Sequence, residues 1–195
     1  MANVNAPFGL KPLSRLDGGI VGRVNNYSIA DQYASTIGFG DLVILAGTFN
    51  VNTPYPSPNI SLGATTNIFR GVFAGCSYQD TLGNFIWSPK WTASTPTLNA
   101  VGAQAFVYDD PQIIFKVQAL LTSPTSAQLE GFGTLNYVAP NSLGVSQSTI
   151  TGYTGTITDL KLLGLTQDPG NAIANYALIK VLIAKHSLRD PLSNN

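Results

Sequence analysis

From Ile113 to Ala119 the chain alternates without a break. Ile113, Phe115, Val117 and Ala119 fall on one side, and Ile114, Lys116 and Gln118 on the other. A period of two is the signature of a strand with one buried face. A second apolar segment, AFVY, precedes it, and the two meet at Asp109-Asp110-Pro111. Pro111 has no N–H and pushes Asp110 into an extended conformation, so strand pairing stops at that corner.

The rest of the chain repeats this scale. IVGRVNNYSI (20–29) predicts a strand, ADQYAST (30–36) one helical turn, and Leu42–Ala46 a central strand closed by Gly47. Residues 48–67 carry Pro54, Pro56 and Pro58 and predict a long loop without a strand. Ile68–Tyr78 is a further strand, with Gly71 and Gly75 as bulges or points of close approach. DTLGN (80–84) is a hairpin turn, and Pro89 makes Phe85–Trp91 an edge or broken strand. Ser126–Glu130 allows one short helix after Pro124. Leu143–Thr158 is polar and reads as loop or exposed strand. Asp159–Thr166 and Ala177–Leu188 are the final apolar segments, separated by a turn at QDPGN, and β-branched alternation makes the last a strand. The expectation is an all-β single domain, a β-sandwich, jelly roll or barrel, with little helix. Residues 1–19 lack a period but carry Phe8, Leu10, Leu13 and Leu16, which predicts an extended N-terminal arm docked on a β-rich domain over 20–195.

Charge decides what such a domain can meet. Ten basic and ten acidic side chains cancel, so nothing favours nucleic acid or an anionic membrane. Charged residues make up 10% of the chain, against about 25% in ordinary soluble domains. Over a surface of about 9,000 Å² that is sparse, and it suits a permanent interface. No apolar run approaches the ~20 residues of a membrane-spanning helix, and MANVNAPFGLKP lacks a signal-peptide pattern. The single cysteine, Cys76, allows no internal disulfide and reads as a small core residue in a protein matured in a reducing compartment.

Chemistry is hard to assemble from these residues. His186 is the one histidine and Glu130 the one glutamate. No nucleophile elbow, phosphate loop or zinc-ligand spacing occurs. His186 reads as a surface or interface residue. Asp109 and Asp110 are adjacent, but successive residues of an extended chain point apart, so they make a turn rather than a catalytic dyad or an ion site. Trp87, Trp91 and Tyr78 form either core or a sugar-stacking platform. No catalytic residue, cofactor or metal site is expected.

Five segments taken in order, MANVNAPFGLKP, GDLVILAG, IFRGVFAGCSY, VYDDPQIIFKVQ and LLGLTQDPGNAIANYALIKVLIAKHSL, resemble the capsid cement, or head decoration, proteins of tailed bacteriophages. The resemblance implies a structural virion protein made in the bacterial cytoplasm. It implies a homotrimer on the outer capsid surface, at three-fold and quasi-three-fold positions, with the major capsid protein as partner. Phe8, Leu10, Pro12 and Leu13 are the expected capsid contacts of the arm. Two other readings stand beside it: a neck or tail component of the virion, and a carbohydrate-binding β-sandwich using Trp87 and Trp91.

Overall fold

The computed structural model describes residues 3–51, 56–65, 67–120 and 125–189. The chain is all-β, as expected, with two short 3-10 turns at Leu98–Ala100 and Ser126–Glu130. Its strands are β1 (Lys11–Arg15), β2 (Asn25–Ile29), β3 (Ile37–Gly38), β4 (Leu42–Asn50), β5 (Ser57–Leu62), β6 (Gly71–Gln79) and β7 (Phe85–Ser88). There follow β8 (Lys90–Trp91), β9 (Ala103–Tyr108), β10 (Ile113–Gln118), β11 (Phe132–Asn136), β12 (Thr149–Thr154), β13 (Leu160–Leu165) and β14 (Leu178–Ile183).

Twelve of these strands form two barrel-like sheets, and β3 and β8 pair in a short two-stranded third. In the first, β4-β5-β2-β9-β6 closes into a five-stranded ring through a β4–β6 pairing, and β7 hangs on the outside of β6. In the second the order is β1-β10-β14-β13-β11-β12, and a bridge from Ala119 to Ile150 brings β12 back beside the end of β10. Closure removes most open edges, leaving β1 and β7 as outer strands. Two apolar clusters fill these sheets, and the second is shared, since it also takes in Leu42 of β4 and Val72 of β6. Tyr27, Ile29, Val43, Ile60, Phe73, Trp91 and Val107 fill the first; Phe115, Val117, Ile150, Leu162, Ile179 and Val181 fill the second.

The alternation of β10 is realised. Ile113, Phe115, Val117 and Ala119 are buried, and Phe115 and Val117 stand opposite Val181 and Ile179 of β14. The corner before it does more than turn the chain: it carries the backbone from β9 of the first barrel to β10 of the second. Pro89 divides β7 from β8, and Gly75 sits where the β6–β9 register shifts. The hairpin at 80–84 and the turn at 167–171 form where the sequence placed them.

Several expectations are corrected. Residues 30–36 are turns without a helix, and 20–24 lie outside any strand. β4 does not end at Gly47; it continues to Asn50 through an irregularity between Leu45 and Phe49. That irregularity lets β5 form in the proline-rich loop. Pro58 is the second residue of β5, and its missing N–H is tolerated beside the disturbed ladder. Pro54 lies outside the described residues. Leu143–Thr158 is loop and strand as expected, with Leu143, Thr151 and 155–157 exposed, but it is not exposed throughout. Ser146, Ser148 and Ile150 are fully buried, because β12 completes the second sheet.

The arm, too, is built differently. β1 lies within it and pairs antiparallel with β10 as part of the second sheet. Upstream, Gln118 of β10 donates to the Val4 carbonyl and accepts from the Ala6 amide. Gly9, at a positive φ of 67°, crosses directly over Gly40, and the Leu10 amide donates to the Gly40 carbonyl at 2.9 Å. A Cβ at Gly9 would collide with Ser146 and with that carbonyl, so only glycine allows the crossing.

Candidate functional site

The Asp109-Asp110-Pro111 corner sits at the seam between the barrels. Asp109 closes β9 and is almost fully buried. Its carboxylate accepts from Asn25 Nδ2 at 2.7 and 2.9 Å and from the Tyr27 hydroxyl at 2.6 Å, both on β2. Arg70, just before β6, approaches it at 3.6 Å and donates through Nε to the Tyr27 oxygen at 2.5 Å. Arg70 also donates to Ser187 at 3.3 Å, across the seam. Burial, and then the Asp109 carboxylate, push the Tyr27 phenol up to about 12. The hydroxyl therefore stays protonated and keeps donating.

Asp110 points the other way, as extended geometry requires. It accepts from the Gln112 amide at 2.9 Å, closing the turn, and pairs at the surface with Arg15 at 3.2 Å. The Pro111 carbonyl accepts from Arg189 at 2.8 Å. The two aspartates share no gap. Among the described residues, no group of three or more His, Cys, Asp or Glu side chains could hold a metal ion.

His186 corrects its expected place: it is buried, not at the surface. The Phe69 amide donates to the Lys185 carbonyl and the Ser187 amide to the Phe69 carbonyl, both at 2.8 Å, so the tail after β14 lies along the segment before β6. Burial, with Arg70 adding to it, lowers the imidazole to about 4, so the ring is neutral at pH 7. Nδ1 accepts the Leu188 amide at 3.1 Å, and the Nε2 proton has no partner among the described residues. Cys76 lies in the first barrel's core, where burial pushes its thiol up to about 12. A thiol in that state is a poor nucleophile.

A second buried carboxylate, Asp41, lies where the first barrel meets the loop before β12. It accepts from the Gly38 amide at 2.7 Å and from Ser148 Oγ at 3.4 Å, and no cation pairs with it among the described residues. Burial raises it from 3.8 to about 6, although the serines and the amide pull the other way.

The predicted arm contacts separate. Leu10 is fully buried in the second barrel's apolar cluster and cannot reach a partner. Phe8 and Pro12 are half-buried, and Leu13 is exposed. The β1–β10 register slips between Pro12 and Ser14, and this bulge turns Leu13 outward. Further along the same segment Leu16 is 55% exposed and Ile20 93% exposed. The aromatic pair separates as well. Trp91 is fully buried, edge-on to Tyr78 with centroids 5.6 Å apart, whereas Trp87 is 62% exposed on β7.

Sequence reasoning missed the network that joins Asn25, Tyr27 and Arg70 to Asp109, and separately the buried Asp41. A signal was present in Arg70, a lone cation inside the apolar run IFRGVFAG, since a buried guanidinium demands an anion. No family model, curated protein or solved structure matches the chain.

Proposed function

We propose that this protein is a structural component of a tailed-phage head, a cement protein that coats the outer capsid surface. It acts as a homotrimer at three-fold and quasi-three-fold positions and stabilises the lattice of the major capsid protein. Its role is mechanical, needs no cofactor, and follows synthesis in the host cytoplasm.

The observation that carries this reading is the N-terminal segment. Val4, Leu13, Leu16 and Ile20 all expose large apolar side chains within 17 residues of an outer strand. Isolated exposed apolar residues are ordinary, but four of them along one short segment suit an interaction surface. The same chain spreads only 20 charged side chains over 9698 Å². A cement protein works through such surfaces, burying on the order of 1,600 Å² per contact and repeating it at many lattice positions. The ordered sequence motifs point to the same family.

Deleting residues 1–16 is not a clean test, because it removes β1 and Leu10 from the fold. A triple variant, Leu13→Asp, Leu16→Asp and Ile20→Asp, leaves both cores intact. Mixed with heads stripped of the native protein, it should coat them at less than about a tenth of native occupancy, with unchanged melting. Full coating by the folded variant would sink the contact assignment. Native stoichiometry of about six or twelve per particle, instead of hundreds, would place the protein in the neck or tail.

A further inference from the structure

On the outer face of the first barrel, a groove of about 470 Å³ is lined by Asn26, Ser28, Ser77, Gln79, Gln104 and Phe85, among others. Register explains the lining. Trp87 stands opposite Ser77, Ser77 opposite Gln104, and Gln104 opposite Ser28, one row across β7, β6, β9 and β2. Directly paired residues share a face, so these four side chains lie on one face over roughly 14 Å at ~4.8 Å per strand, with Ser28 and Ser77 buried at its floor. Phe85, opposite Gln79, begins the neighbouring row. Phe85 and Trp87 are 72% and 62% exposed.

Most polar groups of this floor are unspent, although two serines bond each other. Ser28 bonds Ser57 at 2.5 Å. The side chains of Asn26, Ser77, Gln79 and Gln104 have no hydrogen-bond partner among the described residues. That is unusual here, since Asn25, Asn59, Gln118, Gln147 and Asn171 all hold such bonds. No Asp, Glu, Lys, Arg or His lines the groove among the described residues.

We infer that this groove binds a neutral oligosaccharide. Amide side chains both donate and accept, which matches vicinal hydroxyls that do the same. The exposed ring of Phe85, in the groove lining, and that of Trp87, opposite Ser77 but outside that lining, offer flat apolar faces for the C–H side of a pyranose. A site without charge gives no advantage to an anionic glycan. A concave volume with a few convergent polar groups is also the usual form of a ligand site. A protein partner fits less well, because it would bury four unpartnered polar side chains and would have to match each one. The inference is independent of the capsid reading, since it concerns a face on the other barrel from β1.

The test uses the full-length free protein with maltotriose, cellotriose and chitotriose as neutral probes and sialyllactose as the charged comparator. Calorimetry and tryptophan emission are followed together, with buried Trp91 as the internal reference for exposed Trp87. At about 10 mM, enough to fill a millimolar site, at least one neutral trisaccharide should bind saturably and blue-shift the emission. Trp87→Ala and Gln104→Ala should each weaken binding about tenfold, with unchanged melting. The inference is overturned if none of the three binds, if sialyllactose binds as well as they do, or if both folded variants bind like the native chain. It is equally overturned if the variants change only the oligomeric mass, which would make the groove a protein interface.

Discussion

Asp109 and Asp41 are both buried carboxylates where the two barrels meet, and they are held in opposite ways. Asp109 faces an arginine, a tyrosine hydroxyl and an asparagine amide. Asp41 has one backbone amide and serine hydroxyls, and its carboxyl rises to about 6. A buried charge must be either compensated or removed by protonation. The first seam is compensated by a network reaching β2, β6 and the tail after β14. The second moves toward a neutral acid. The same residue type therefore makes the Asp109 seam sensitive to its partners and the Asp41 seam sensitive to pH.

The largest effect should come from breaking the compensated seam. Arg70→Ala leaves Asp109 buried without its cation and should cost about 3–5 kcal/mol, read as the shift in urea midpoint. If the loss is below about 1 kcal/mol, the network is not what ties the barrels together.

The next effect sharpens the contrast through pH. Asp41 binds its proton more tightly folded than unfolded, so its contribution is present below about 4 and lost as pH rises to about 6. His186 binds its proton less tightly folded, so its contribution is present above 6.5 and lost as pH falls toward about 4. The two slopes oppose each other in one window, each spanning about 3 kcal/mol. Relative to the native chain, Asp41→Asn should gain stability from pH 4 to 6, and His186→Gln should gain it from pH 6.5 down to 4. Denaturation midpoints between pH 4 and 7 measure both. Parallel curves for all three proteins would show that neither group titrates differently on folding.

The smallest effect belongs to the neighbour of Asp109. Asp110→Asn removes a surface pair with Arg15 but keeps an acceptor for the Gln112 amide, and should cost less than about 1 kcal/mol. A cost matching that of Arg70→Ala would mean that the corner, not the network, holds the seam.

The strands were legible in the sequence wherever one face is apolar and the turn residues are local. β10, the 80–84 hairpin and β14 follow from alternation, Gly and Pro alone. What stayed hidden depends on partners distant in the chain. β5 forms next to a bulge in β4, and Ile150 is buried because β12 closes a sheet begun at residue 11. His186 lies 117 positions from Phe69, against which its segment packs. No local pattern encodes that contact. The arm was half legible: it docks, but through β1 on this chain's own β10, and of its apolar residues Leu10 is buried while Leu13 and Leu16 stay exposed.

The pairing of β1 with β10 also bears on how the chain is made. Arg15 leaves the ribosome long before Ile113, with the whole first barrel translated in between. At 5–20 residues per second, β1 waits about 5–20 s for its partner. During that interval the first barrel can close on its own cluster, while Leu10 and Leu13 stay in solvent. Newly made chains in that state offer an apolar segment to any neighbour, so chaperones that shield short apolar segments should meet this protein around residues 10–20.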